Sequence, residues 1–123
     1  LLFLFGLNGF SQEYTFERVN IVAENINSSV KTKGLIFISD SLITIEYDKG
    51  NDPKQTYHVK KLSDNGLVKQ YLSDVEKTVT PYNVRFTFQE SNIYNKLPFM
   101  LVMDMKDEFT NKVTQMMYFI KLN

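Results

Sequence analysis

The chain has 123 residues, enough for one domain with one hydrophobic core and too few for two independent ones. Its 14 basic and 14 acidic side chains cancel and no run of like charge exceeds two, so there is no basic stripe for nucleic acid or for an anionic membrane surface. Cysteine is absent, which excludes disulfides, thiolate catalysis and zinc–thiolate sites. Hydrophobic residues make up 43% of the chain, and without disulfides their burial must hold the fold together.

The first residues resemble the end of a signal peptide. Leu1 to Leu7 form an apolar run, and Gly9 and Ser11 are small residues two apart, the pattern that a signal peptidase accepts before its cut. We therefore predict cleavage between Ser11 and Gln12. Because the first residue is a leucine rather than a methionine, we expect this segment to continue a longer precursor.

These features predict the domain organisation and the location of the protein. Residues 1–11 are expected to be the remnant of a signal peptide, and residues 12–123 a single β domain that is extracytoplasmic, either periplasmic or secreted. As a helix the apolar run would span about 15 Å, about half of a bilayer core, so no stable membrane insertion is expected. A buried first strand is the alternative interpretation of this run.

Apolar residues recur at a spacing of two along the remaining chain, which places them on one face of a β-strand and would scatter them around a helix. The first predicted strand runs from Tyr14 to Glu24. A hairpin is predicted next, in which Leu35–Ile38 and Ile43–Tyr47 are joined by the turn-forming Ser39-Asp40-Ser41. A further strand is predicted around Tyr57.

The second half of the chain continues this pattern. Asp64-Asn65-Gly66 predicts a tight turn, because Asn-Gly adopts the positive φ angles that hairpins need. Residues 67–79 fit a short helix about as well as a strand, and we predict a strand followed by a loop. The clearest alternation of apolar and polar residues lies between Tyr82 and Gln89, which predicts a strand with one buried and one wet face.

Together these elements predict an all-β fold, an antiparallel meander of seven or eight strands that closes as a small barrel or a sandwich, since closure removes exposed edges. A signal peptide followed by about 110 residues of strands with short turns resembles the lipocalin-like exported domains of Gram-negative bacteria. The Gly-x-Trp signature of lipocalins is missing, because the chain has no tryptophan. The resemblance implies a barrel that holds a small apolar ligand, and it implies no particular site residue.

Catalytic and metal-binding motifs do not emerge, and we predict no enzymatic activity, no cofactor and no metal. His58 is the only histidine, it falls on the polar side of its strand, and no nucleophile motif surrounds any serine. Glu46 and Glu90 are nominal carboxylates for glycoside hydrolysis, but nothing distinguishes them from the other acids. Asp48-x-Gly50-x-Asp52 resembles half of a calcium loop without its terminal glutamate, which favours a plain turn.

All five methionines lie in the last predicted hairpin, where Phe99–Met105 and Val113–Leu122 pair around a turn at Thr110-Asn111-Lys112. Methionine is unbranched and polarizable, so a surface built from it adapts to ligands or partners of varied shape. A strand packed between two layers also needs apolar residues on both faces, and this is the alternative. The predicted ligand or partner surface consists of Phe99, Met100, Met103, Met105, Met116, Met117, Tyr118 and Phe119.

Two functional hypotheses follow from this sequence. The first is a noncatalytic binding module that holds a small apolar ligand inside the barrel or between the sheets. The second is an interaction protein of the cell envelope that docks a partner through an exposed strand or the apolar C-terminal hairpin. Because a phenol keeps its hydroxyl hydrated, five tyrosines are further candidates for an exposed binding surface: Tyr14, Tyr47, Tyr57, Tyr71 and Tyr94. The sequence indicates no oligomeric state.

Overall fold

The computed structural model of the chain describes residues 11–48, 54–74, 82–107 and 109–123, with the backbone alone at Tyr82. The predicted signal-peptide remnant lies outside these residues except for Ser11. Eight strands account for most of the described residues: β1 (Gln12–Ala23), β2 (Ile26–Ile38), β3 (Leu42–Tyr47), β4 (Gln55–Asp64), β5 (Val68–Ser73), β6 (Tyr82–Tyr94), β7 (Leu97–Asp107) and β8 (Val113–Leu122). No helix in this part of the chain is long and apolar enough to cross a membrane.

The strands form an antiparallel meander that closes on itself. Each strand pairs with the next along the chain, and β1 also pairs with β8, so the sheet is a closed eight-stranded barrel. This confirms the predicted all-β fold and its meander topology. Closure gives the central part of every strand two hydrogen-bonded neighbours.

In the predicted turns between β2 and β3 and between β7 and β8, side chains form hydrogen bonds with backbone groups. The Ser39 hydroxyl accepts a hydrogen bond from the Leu42 N–H at 3.0 Å between β2 and β3. Between β7 and β8 the Asp107 carboxylate accepts the Phe109 N–H at 2.8 Å, and Asn111 has a φ of 59°. Both predicted hairpins are therefore confirmed.

The turn between β4 and β5 differs in one detail from the prediction. Gly66 has a φ of 87°, whereas Asn65 acts through its side chain, whose oxygen accepts the Leu67 and Val68 N–H groups at 2.9 and 2.7 Å. Residues 68–73 form β5, which confirms the strand predicted there. The loop predicted after it, as far as residue 79, lies outside the described residues from residue 75 on.

The first half of β2 was not predicted as a strand. Ile26–Lys33 is mostly exposed and polar, so no alternation of apolar residues marks it. It extends because it pairs with β1 residue by residue, from Ala23 opposite Ile26 to Arg18 opposite Lys31. The β1–β2 hairpin therefore projects beyond the pairing of β2 with β3, which begins at Gly34.

The barrel interior is filled by side chains from opposite walls. The Phe16 ring on β1 lies 5.2 Å from the rings of Tyr47 on β3 and Tyr118 on β8. Gly34 makes this packing possible, because a Cβ there would clash with the Phe16 ring and with the Glu46 carbonyl oxygen. The buried residues of this interior cluster are Tyr14, Phe16, Val19, Ile36, Ile38, Ile43, Ile45, Val59, Tyr71, Val84, Phe86, Leu101, Met103, Tyr118 and Ile120.

A second apolar cluster lies on the outer face of β7 and β8. We call it the outer cluster, and it consists of Leu97, Met100, Val102 and Phe119, with Tyr94 and Met117 packed against it. The register of β6 with β7 shifts between Glu90 and Tyr94, and the Tyr94 ring packs edge-on against Phe119 at 4.7 Å. The end of the β6–β7 hairpin therefore contacts the outside of the barrel wall.

Candidate functional site

One end of the barrel opens into a cavity of about 310 Å³ that is in contact with solvent. It lies where β1 begins and where the β2–β3 and β4–β5 turns meet, so residues far apart in the chain surround it. We call it the mouth site, and its lining includes Tyr14, Tyr71, Phe88, Lys61, Lys69 and Asp64. Apolar walls with a few converging polar groups are typical of small-molecule sites.

Aromatic rings form the wall of the mouth site. The Tyr14 ring lies 5.4 Å from Phe88 and 6.1 Å from Phe99, and Phe88 and Phe99 stack at 5.3 Å. These distances are those of favourable aromatic pairs, so the wall is held in place by its own packing.

The two tyrosines that line the mouth site, Tyr14 and Tyr71, are neutral. Burial raises the pKa of Tyr14 and of Tyr71 above the ordinary value of a phenol, because ionisation would place a charge in an apolar environment. The Tyr14 hydroxyl donates a hydrogen bond of 2.6 Å to the Gln12 side-chain oxygen. Both residues are nearly inaccessible as a whole, at 4% and 2% exposure, so the prediction that they are exposed tyrosines is wrong even though they line the cavity.

Lys61 forms ion pairs that link two turns at the rim of the mouth site. It continues the inward-facing side of β4 after Tyr57 and Val59, and its ammonium lies 2.8 Å from Asp64 and 3.2 Å from Asp40. The hydrogen bond to Asp64 raises the pKa of Lys61, and the same bond with that from the Gly66 N–H lowers the pKa of Asp64. Lys61 therefore stays protonated, and its positive charge is already balanced by Asp40 and Asp64.

Lys69 is the second inward-facing lysine, and its environment differs. It lies directly opposite Phe88 in the pairing of β5 with β6, and its ammonium is 6.0 Å from the centre of that ring. Within the described ranges it forms no ion pair, although Asp64 lies directly opposite it in the pairing of β4 with β5 and its positive charge helps to lower the pKa of Asp64. The mouth site thus offers one cation that is not neutralised by an ion pair, next to an aromatic wall.

The eight residues of the predicted ligand or partner surface divide between the two faces of the barrel wall. Five belong to the interior cluster or pack against it: Phe99, Met103, Met105, Met116 and Tyr118. Three belong to the outer cluster or pack against it: Met100, Met117 and Phe119. None of the eight lines the cavity of the mouth site, although the Phe99 ring contacts two residues that do.

The other residues considered from sequence do not converge. His58, Glu46 and Glu90 are exposed on β4, β3 and β6. In the described ranges no group of three histidines or carboxylates could hold a metal ion. Of the half calcium loop only Asp48 is described, and Gly50 and Asp52 lie outside.

Sequence reasoning missed the lysines of the mouth site. Lys61 and Lys69 lie in strands whose alternation is weak, so nothing marked them as inward-facing. An available signal was the position of Lys61 two residues after Val59, in phase with the apolar side of β4.

Comparisons with known proteins leave this chain without an assigned relative. It matches no family model, no curated protein and no solved structure. The resemblance to lipocalin-like exported domains therefore stays a prediction that rests on architecture.

Proposed function

We propose that this protein is a noncatalytic binding module whose mouth site takes a small ligand with an apolar, preferably aromatic, body and one anionic group. The observation that carries the proposal is the position of Lys69 beside the Phe88 ring in a cavity of about 310 Å³. Among the described residues Lys69 forms no ion pair, and Asp64, which lies opposite it, is bonded to Lys61 instead. That volume lies at the lower end of the range for small-molecule sites.

The apolar body of the ligand would lie against the aromatic wall. Tyr14, Tyr71 and Phe88 line the cavity, and the rings of Tyr14 and Phe88 pack against each other, so little side-chain entropy is lost on binding. Because the middle of the barrel is filled by the interior cluster, the ligand would occupy the mouth rather than the deep interior that was expected from sequence.

The anionic group would lie near Lys69. Lys61 is already paired with Asp40 and Asp64, so a second anion gains less from it. A ligand with one negative charge matches the single lysine of the site that forms no ion pair, whereas a second negative charge would approach the two rim carboxylates. This predicts a preference for monoanions over neutral or dianionic molecules of the same shape.

The test compares two fluorescent probes that share an aromatic body. One is 1-anilinonaphthalene-8-sulfonate, an anion, and the other is N-phenyl-1-naphthylamine, which lacks the sulfonate. We expect Lys69→Gln to weaken binding of the anionic probe by about fivefold to tenfold, equivalent to about 1 kcal/mol, and to leave the neutral probe nearly unaffected. Fluorescence titration measures both affinities.

Lys60→Gln is the matched control. Lys60 is an exposed lysine on the neighbouring strand β4, so its substitution removes the same charge at a position away from the cavity. It should leave both affinities at the wild-type value. Equal binding of the anionic probe to wild type and to Lys69→Gln would contradict the proposal, as would the failure of both probes to bind the wild-type protein.

Partner docking in the cell envelope remains the second candidate, and one observation favours it. Ile26–Lys33 of β2 pairs with β1 on one side, while its other edge pairs with no described strand apart from the bond between the Asp48 N–H and the Lys33 carbonyl. An extended partner segment could add there as a strand. The C-terminal hairpin suits docking less well, because its apolar side chains are taken up by the interior and outer clusters.

A further inference from the structure

The outer face of the β1–β2 hairpin gathers positive charge through its pairing register. The register shifts between Phe16 and Arg18, and after this shift Arg18 lies directly opposite Lys31. Lys33 follows Lys31 two residues along β2 and therefore lies on the same outer face. Lys96, from the end of the β6–β7 hairpin, approaches the same place.

These four cations line an open pocket of about 420 Å³ on the outside of the barrel. We call it the outer basic pocket: Arg18, Lys31, Lys33 and Lys96. Its one carboxylate is Glu17, whose oxygen lies 3.7 Å from the Lys121 ammonium on β8. Among the described residues none of the four cations forms an ion pair with an acid.

Without a bound anion, this cluster of positive charges lowers the stability of the folded protein. Like charges placed directly opposite each other on paired strands destabilise a sheet, and Arg18 and Lys31 are such a pair. The whole chain has a formal net charge of zero, so this local excess is not the consequence of a basic composition. A bound anion would reduce the repulsion between Arg18 and Lys31, which no ion pair among the described residues offsets.

The pocket is also preorganised. The Arg18 guanidinium lies 5.3 Å from the centre of the Tyr94 ring, which is itself packed against the buried Phe119. Leu97 is buried in the outer cluster, so the adjacent Lys96 is carried by an anchored turn. Two walls of the pocket are therefore fixed before any ligand arrives.

We infer that the outer basic pocket binds a small multivalent anion, one that carries two or more phosphate or carboxylate groups. The planar guanidinium of Arg18 suits two oxygens of either group, and the lysines supply further positive charge around the pocket. A small ligand is favoured over a nucleic acid because the cations surround one pocket and do not form a stripe along the surface. The outer basic pocket and the mouth site share no lining residue. The proposal for one site can therefore be contradicted without affecting the proposal for the other.

The experiment titrates the protein with inorganic pyrophosphate and with citrate at low ionic strength, by calorimetry. We expect saturable binding with one site, and a loss of affinity of about tenfold or more in the double variant Lys31→Gln/Lys33→Gln. The control Lys54→Gln/Lys60→Gln removes the same charge from exposed positions beside and on β4, and it should bind as the wild type does.

A second readout separates binding from a structural role of the lysines. Without ligand, Lys31→Gln/Lys33→Gln should unfold at higher urea concentration than the wild type, because a like-charge repulsion is removed. Binding of pyrophosphate alone would assign a phosphate compound, and binding of citrate alone a polycarboxylate. Binding of heparin or single-stranded DNA without either small anion, equal affinity of the double variant, or no binding at all would overturn the inference.

Discussion

At the scale of single residues, the chemistry of the interior depends on buried phenols. The Tyr118 hydroxyl lies in the fully buried part of the barrel and is hydrogen-bonded to the Tyr47 hydroxyl at 2.8 Å. Burial, and then the neighbouring Tyr47, raise the pKa of Tyr118 far above the ordinary value of a tyrosine. Burial also raises the pKa of Tyr57. The folded protein therefore holds these protons more tightly than the unfolded chain.

This difference predicts how stability depends on pH. The phenols contribute their full stabilisation below about pH 10, where they are neutral in both states, and the contribution falls as the pH rises further, because the unfolded chain ionises first. Above pH 10 the free energy of unfolding should fall less steeply in Tyr118→Phe than in the wild type. We expect the difference in slope to be about 1.4 kcal/mol per pH unit, the value for one proton. At neutral pH the variant should lose about 1 kcal/mol with the hydrogen bond. Urea unfolding at a series of pH values measures this.

Phe16→Leu is the control for this prediction. It lies in the same cluster, 5.2 Å from the Tyr118 ring, and it lowers stability without removing a phenol. Its decline above pH 10 should run parallel to that of the wild type. A Tyr118→Phe curve that is also parallel to the wild type would show that this phenol does not carry the pH dependence.

At the scale of the strands, the C-terminal hairpin is apolar on both faces for a structural reason. Tyr118 and Ile120 of β8 face the interior cluster, while Phe119 between them belongs to the outer cluster, which the end of the β6–β7 hairpin covers in part. The outer cluster therefore behaves as core rather than as a free surface.

Truncation of Phe119 tests this view of the hairpin. Phe119 is fully buried, so we expect Phe119→Ala to lower the free energy of unfolding by about 3 to 5 kcal/mol. Val113, on the same strand, is 50% exposed, and Val113→Ala should cost less than about 1 kcal/mol. Chemical denaturation gives both values. If Phe119→Ala cost no more than Val113→Ala, the outer cluster would be a dispensable surface available to a partner.

Strands with a clear alternation were the ones that the sequence revealed. In β6 the buried Val84 and Phe86 alternate with the exposed Asn83 and Arg85, and β8 has the predicted bounds. The first half of β2 was not predicted, because it is held by pairing to β1 and its side chains are mostly exposed. The physical reason is that pairing between distant residues leaves no periodic signal in a strand that stays exposed.

The candidate sites were harder to predict than the strands. The mouth site brings together the first residues of β1, the β4–β5 hairpin and Phe88, and only barrel closure makes them neighbours. In the same way, the absence of a basic stripe in the sequence did not reveal the outer basic pocket, because register and hairpin packing assemble its charges. The methionines gave a strong compositional signal, and their position reflects the packing of β7 and β8.

At the scale of the whole molecule, closure of the barrel separates three surfaces. The interior is filled, the mouth site lies at one end, and the outer basic pocket lies on the wall formed by β1 and β2 beside the end of the β6–β7 hairpin. A barrel whose interior holds a buried apolar cluster suits a binding module, because the groups at its rim are positioned by that packing before they meet a ligand.

The position of a bound ligand is the most direct test of the proposed function. Nuclear magnetic resonance can follow labelled protein during titration with 1-anilinonaphthalene-8-sulfonate, using backbone amides together with the five methionine methyl groups. We expect the largest shifts at Tyr14, Lys69, Tyr71 and Phe88, and small shifts at the methionines, none of which lines the cavity. Largest shifts at Met103 or Met117, with the mouth residues unmoved, would contradict the account and return the binding surface to the C-terminal hairpin.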